Sequence, residues 1–302
     1  MKGFVDLQVN GYLGINFSAP HLTVEKVRFV TKKLVEEGTV AYCPTIISSP
    51  MNIYCENLPV IAEAMEEGEL SSHILGIHLE GPFISPQDGA RGMHNKKMIQ
   101  TPDIGVYDEL QRLAKGKIVL VTLAPELEGA ESLIKHISQD KNVTVSLGHH
   151  MANKFQIEKA CRAGAKACTH LGNGIPNMLP RHNNPIWIQL AEDSLTGMFI
   201  TDGYHLPPEF IKIALKVKTP ERFIVVSDQS PISGMPPGIY ELEGEKVVLE
   251  ESGRLRSLDS DYLAGSSSTM IECMNFLASL GELTENELWQ VGFINPLRLI
   301  NK

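Results

Sequence analysis

No run of about eighteen apolar residues occurs anywhere in the chain, so it offers no candidate transmembrane helix. An excess of positive charge is also missing. The 27 Lys and Arg stand against 36 Asp and Glu, a net charge of −9. Nucleic-acid and anionic-membrane surfaces need clustered cations, so neither partner is expected. The pairs Lys32-Lys33 and Lys96-Lys97 read as solvated faces. Cysteine is scarce and poorly spaced: Cys43, Cys55, Cys161, Cys168 and Cys273 form no CxxC pair, and an odd number cannot close completely into disulfides. A reducing compartment follows. Met1 leads almost at once into Gly3-Phe-Val-Asp-Leu, without the charged and apolar regions of a signal peptide. A cytoplasmic protein is therefore expected. With no low-complexity segment and no linker, residues 1–302 are expected to form one domain.

What is present is ordinary globular material, 43% hydrophobic and 21% charged, enough for a large core. Eight short apolar runs can be counted, roughly 3–9, 41–46, 74–79, 118–123, 143–148, 167–171, 196–201 and 223–228. Between most of them lies an amphipathic helical pattern, such as Val24 to Glu37 closed by Gly38. Strands alternating with helices predict parallel β-structure, and eight such units in a chain longer than about 250 residues predict a (β/α)8 TIM barrel. After the eighth run, Gly238 to Arg256 alternates around Gly244 as a β-hairpin excursion. Leu263-Ala-Gly-Ser-Ser-Ser-Thr269 follows, small residues that permit either close backbone approach or flexibility, before a helix of about a dozen residues.

The polar residues fall at one topological position. Gln8 and Asn10 end the first run, Thr45 the second and Glu80 the third, and Glu126 follows the fourth; His149, His170, Asp202 and Asp228 end the fifth to the eighth. In a closed barrel these ends converge on one rim, where such barrels carry their chemistry. A single strand-end histidine is ordinarily a hydrogen-bond partner for a loop carbonyl. Glu80, His149 and His170 together make a shared metal the stronger reading, because two imidazoles and a carboxylate form a catalytic zinc set with a position open for water. Asp228 closes a fully apolar run, where a carboxylate is costly unless it is bonded or near a cation, so it reads as a catalytic base. Asp202-Gly203 reads equally as turn chemistry or as part of the site.

Seven segments, Phe4-Val-Asp-Leu-Gln-Val-Asn-Gly11, Gly76-Ile-His-Leu-Glu-Gly-Pro-Phe83, Gly148-His149, Thr169-His-Leu-Gly-Asn173, Thr201-Asp-Gly-Tyr-His205, Val226-Ser-Asp228 and Ala264-Gly-Ser-Ser-Ser-Thr-Met270, resemble in order the N-acetylglucosamine-6-phosphate deacetylase family of the amidohydrolase superfamily. The resemblance implies metal-dependent hydrolysis of the N-acetyl group of N-acetylglucosamine 6-phosphate, giving glucosamine 6-phosphate and acetate. It implies that Glu80, His149 and His170 hold one divalent metal, most simply Zn²⁺, and that Asp228 is the general base. It implies further that His94 contacts the acetyl carbonyl, and that Asn173, Gly174 and His205 hold the sugar phosphate, with Asp202 in support. Arg181 matches an arginine that reaches the neighbouring subunit's phosphate, which implies a homodimer. Gln8 and Asn10 stand where many amidohydrolases carry a His-x-His pair, a pattern that goes with a single metal. The donor chemistry agrees, since neutral amides are poor ligands for a second zinc.

Three departures from the family pattern stand out. The family's small β-sandwich is expected to be missing. His182-Asn-Asn-Pro185 follows Arg181 where an acidic residue and Pro-Gly are more usual, and Gln229 replaces a small residue after Asp228, which is expected to reshape the acyl pocket. Two rival readings remain open: an amidohydrolase acting on another N-acyl amino sugar or a cyclic amide, and a non-catalytic sugar-phosphate-binding barrel.

Overall fold

The structure is a computed structural model, and it describes residues 3–259 and 262–302. Each apolar run becomes a strand, and each amphipathic pattern a helix laid against it. The chain opens with β1 (Phe4–Val9), a short ribbon of β2 (Gly11–Tyr12) and β3 (Ile15–Asn16), and α1 (Val24–Glu36). Then come β4 (Thr39–Ile47), α2 (Met51–Ala64), β5 (Ile77–Glu80), α3 (Ile104–Leu113), β6 (Ile118–Leu123), α4 (Ala130–Ile137) and β7 (Thr144–Leu147). The second half runs α5 (Lys154–Ala163), β8 (Ala167–Cys168), α6 (Pro185–Ala191), β9 (Thr196–Ile200), α7 (Pro208–Lys218) and β10 (Phe223–Val226). A three-stranded antiparallel sheet follows, β11 (Gly238–Leu242), β12 (Glu245–Leu249) and β13 (Leu255–Ser257). The chain ends in α8 (Met270–Ser279), α9 (Glu285–Trp289) and α10 (Asn295–Leu299).

Eight strands pair in parallel in the order β1-β4-β5-β6-β7-β8-β9-β10. The parallel bridge from Val9 to Gln229 and the bond from the Asn10 amide to the Gln229 carbonyl, 2.9 Å, bring the two ends of the sheet together. The fold is a (β/α)8 barrel, as the sequence pattern predicts. The observed strands are shorter at several ends. Residue 76 is a glycine at φ 157°, so the third strand starts at Ile77, and Asp228 at φ 49° has already left the extended conformation. The expected hairpin gains a third strand, β13, because Leu255 and its neighbours pair back onto β12. No β-sandwich occurs among the described residues.

The two faces of the strands differ in chemistry, and this difference makes the site. On β1, Val5, Leu7 and Val9 alternate with Asp6, Gln8 and Asn10; on β5, Ile77 and Leu79 alternate with His78 and Glu80. Side chains two apart share a face, so the apolar set meets the helices and the polar set fills the barrel. A chain of bonds crosses that interior: His78 Nε2 to Thr122 Oγ1 at 2.7 Å, Thr122 to Thr169 at 2.7 Å, and Thr169 to Ser146 at 2.6 Å. Buried polar groups fully bonded in this way fix the layer beneath the rim. The excursion has a small core of its own, including Ile232, Leu242, Val247, Leu249 and Leu255, which holds β11 to β13 over the barrel mouth.

Candidate active site

Three residues at the ends of β5, β7 and β8 meet at one point. Glu80 Oε1 lies 3.2 Å from His149 Nε2 and 3.0 Å from His170 Nε2, and the two imidazole nitrogens are 2.9 Å apart. All three residues are buried. His149 Nδ1 donates to the Ala90 carbonyl at 2.8 Å, which orients the ring so that Nε2 is the atom turned towards Glu80 and the one that could ligate a metal. A tetrahedral ion with bonds of about 2.1 Å keeps its donors about 3.4 Å apart, so this triad fits a metal after an outward shift of a few tenths of an ångström. Burial would raise the Glu80 carboxyl, but bonds from His149 and His170 and their charge hold it well below the usual range. Burial would lower the His170 imidazole, and Glu80 outweighs it, so this ring is raised. Gln8 Nε2 donates to Glu80 Oε1 at 2.8 Å and fixes the carboxylate without competing as a strong ligand. Gly174, at φ 61°, passes so close that a Cβ there would come within 2.9 Å of His149 Nδ1 and 3.1 Å of His170 Cε1. The position demands glycine twice over, for its backbone and for its space.

Asp228 faces the same cavity. Asn10 Nδ2 donates to its Oδ1 at 2.8 Å, which leaves Oδ2 to act on a substrate or a water. Burial, reinforced by the nearby Glu80 charge, pushes its carboxyl up to about 6, close to the working range of a proton acceptor. His94 reaches in from the loop after β5. Its Nδ1 accepts from the Ser48 amide at 3.3 Å and lies 2.9 Å from the Ser48 hydroxyl, and its Nε2 lies 3.9 Å from Glu80 Oε2. Burial pulls this imidazole down to about 3, so it is neutral. With Nδ1 accepting, the proton sits on Nε2 and points at the cavity as a donor.

His205 and Asn173 line the far side. Asp202 receives both the His205 amide at 2.9 Å and its ring Nδ1 at 2.7 Å, and also the Tyr204 amide at 2.9 Å. Asp202 therefore caps the turn, as one of the two sequence readings has it, and holds the ring of His205, which lines the cavity. With Nδ1 on Asp202, no hydrogen bond to His205 Nε2 is found among the described residues, and the ring lines the cavity. Asn173 Nδ2 is buried with no partner among the described residues, an unused donor of the kind an anion would satisfy. The cavity that collects these groups is about 180 Å³ and opens to solvent.

Other expectations land elsewhere. Arg181 is exposed and does not line the cavity of its own chain; its carbonyl accepts from Trp187 Nε1 at 3.2 Å. Glu126, a rim residue by topology, turns to accept the Met151 amide at 2.7 Å and stays outside the cavity. Gln229 does not reshape the pocket: its side chain turns away, is buried, and donates to the Gly11 carbonyl at 3.2 Å. Three contributors escaped the sequence reading. Ser48 orients His94, and Asn16 and Glu243 line the same cavity as His205. No motif marks Ser48 or Asn16, whereas a glutamate ahead of Gly244 in a tight turn was a legible oddity.

Comparison with known proteins places the chain. A model of the amidohydrolase family matches residues 1–301. The N-acetylglucosamine-6-phosphate deacetylase of Danio rerio is 33% identical over 310 residues, covering 99% of this chain and 74% of that protein. The N-acetylgalactosamine-6-phosphate deacetylase of Escherichia coli O157:H7 is 29% identical over 303 residues, covering 98% of this chain and 77% of its own length. Among solved structures, a variant of the Mycobacterium smegmatis N-acetyl-D-glucosamine-6-phosphate deacetylase in complex with N-acetyl-D-glucosamine-6-phosphate superposes with a TM-score of 0.89. It is 26% identical, with 99% of this chain and 77% of that chain covered.

Proposed function

The chain belongs to the N-acetylglucosamine-6-phosphate deacetylases of the amidohydrolase family, and from that membership we propose that it hydrolyses N-acetylglucosamine 6-phosphate to glucosamine 6-phosphate and acetate. The observation that carries the reading is the convergence of Glu80, His149 and His170 beside Asp228 in one cavity. These residue types, two imidazoles and a carboxylate, suit Zn²⁺ among the divalent metals. A divalent ion held there supplies Lewis-acid chemistry, polarising the acyl oxygen and bringing a water's pKa from 15.7 towards about 7.

The chain's own residues do the rest. Asp228 takes the proton of the attacking water on Oδ2 while Asn10 holds Oδ1. As the C–N bond breaks, Asp228 returns that proton to the leaving nitrogen, so that amine rather than amide anion departs. Neutral His94 donates from Nε2 to the acyl oxygen, where negative charge develops. Asn173, Gly174 and His205 hold the phosphate, and Asp202 orients His205. Binding energy at this remote group serves to orient the reacting amide. Gln8 and Asn10 support the two carboxylates and make a one-metal site the consistent reading.

Arg181 extends from a segment that also exposes Met178 (89% exposed) and Trp187 (49% exposed). Apolar groups of this size flanking an unused arginine support a homodimer in which Arg181 completes the partner's phosphate site. Solution mass would test it: a monomer at micromolar concentration contradicts the dimer. We also treat residues 1–302 as one functional unit. The relative from Escherichia coli O157:H7 favours a second reading, in which the substrate is the galactosamine epimer. Release of amine from both sugar phosphates, with the unphosphorylated sugars as controls, tests the assignment, and it fails if neither phosphate is hydrolysed.

A further inference from the structure

Resting on the sugar-phosphate reading above, we infer that Glu243, at the tip of the β11–β12 hairpin, is a specificity-determining residue whose carboxylate accepts a hydrogen bond from a ring hydroxyl of the amino sugar. The hairpin turn is the two-residue pair Glu243-Gly244, with φ of 52° and 82°. Such turns call for positive φ at both positions and are built from Asn, Asp and Gly. Glutamate gains nothing there from the backbone. Within the cavity lining, the other residues with a side chain and positive φ are His149 at 52°, His170 at 30° and Asp228 at 49°, all of them groups of the reaction centre. Glu243 is held in the same uncommon conformation and lines the same cavity.

Its surroundings say what it would bind. Oε1 accepts one bond, from Asn16 Nδ2 at 3.3 Å, and no other hydrogen bond or ion pair to the carboxylate is found among the described residues. Burial pushes the carboxyl above its ordinary range, and the Asn16 bond only partly opposes this. A half-buried acceptor with spare lone pairs calls for donors. Asn16 ends β3, in the ribbon that directly follows β1, whereas Asn173 and Gly174 follow β8 and His205 follows β9, so the carboxylate enters the cavity from a different part of the rim than the proposed phosphate groups. A carboxylate would repel phosphate, so neutral sugar hydroxyls are the fitting ligand. The position is fixed, because Leu242 and Val247 anchor the hairpin in its own apolar core.

The test compares wild type, Glu243→Gly and Glu243→Gln on N-acetylglucosamine 6-phosphate, on its C4 epimer, and on analogues lacking the hydroxyl at C1, C3 or C4. Glycine suits the turn, so Glu243→Gly should leave the melting temperature unchanged or raised while removing the carboxylate. The expected result is a roughly 10- to 100-fold loss in kcat/KM on the full sugar, the scale of a hydrogen bond to a charged group. That loss should shrink to about twofold on one deoxy analogue, with Glu243→Gln in between. An equal loss on every analogue, or no loss on any, overturns the inference and leaves Glu243 as a latch on Asn16. Wild type inactive on every sugar phosphate would instead overturn the substrate reading itself, and this inference with it.

Discussion

The two ends of the cavity are built differently. At the metal corner, every group of the proposed chemistry comes from a strand end or from the loop directly after one, and four of the five are braced by a further residue of the same chain, Gln8 on Glu80, Ala90 on His149, Asn10 on Asp228 and Ser48 on His94, whereas His170 Nδ1 is buried with no partner among the described residues. At the phosphate end only His205 has such a brace, in Asp202, while Arg181 lies exposed on a long segment between β8 and α6. Rigid placement suits groups that must meet a transition state within fractions of an ångström. Looser placement suits a charge that captures an anion at a distance. The contrast predicts that damage at the metal corner falls on kcat and damage at the phosphate end on KM.

The sharpest break comes from Asp228→Asn, which should lower kcat about 10²- to 10⁴-fold with metal still bound, the usual contribution of a general acid–base group. Steady-state rates with metal analysis decide it, and wild-type turnover would remove Asp228 from the mechanism. Because its carboxyl stands near 6 before any cation lowers it, the acid limb of the rate should lie at or below about pH 6. Arg181→Ala should raise KM roughly tenfold or more for the phosphorylated sugar, with kcat nearly unchanged. Equal effects on the unphosphorylated sugar would contradict a phosphate role. Asp202→Asn should raise KM several-fold by releasing His205, and a purely kcat effect would erase the contrast between the two ends.

The last prediction concerns stability rather than rate. Asp6 is fully buried beneath the rim, where it accepts from the Ser227 hydroxyl, from the Ser227 amide at 3.2 Å and from the Gln8 amide at 3.1 Å; burial lifts its carboxyl to about 7. The unfolded value is near 3.9, so this group contributes most to stability below about pH 4, and that contribution is lost as pH rises through about 7. About three units correspond to about 4 kcal/mol. Asp6→Asn keeps the shape and should flatten the denaturation midpoint between pH 4 and 7; an unchanged slope would show that other groups set it.

Strand periodicity is a local property, which is why the barrel and its rim residues could be read from the chain. Glu80, His149, His170 and Asp228 each close an apolar run, and eight runs leave few topologies. Positions defined by contacts between distant segments were not legible. Nothing local tells that Ser48 braces His94, 46 residues away, that Gln229 folds towards Gly11, or that Glu126 turns to Met151. The polar layer of His78, Thr122, Ser146 and Thr169 lay in plain sight as breaks in apolar strands. Its meaning needed the barrel to close.

The account rests on chemistry that needs a metal at Glu80, His149 and His170, and the most direct test is amine release from N-acetylglucosamine 6-phosphate by metal-stripped protein titrated with zinc. Activity should be negligible without metal and rise to a plateau at one zinc per chain. Full activity in stripped protein, or a plateau that needs two zincs, would contradict it.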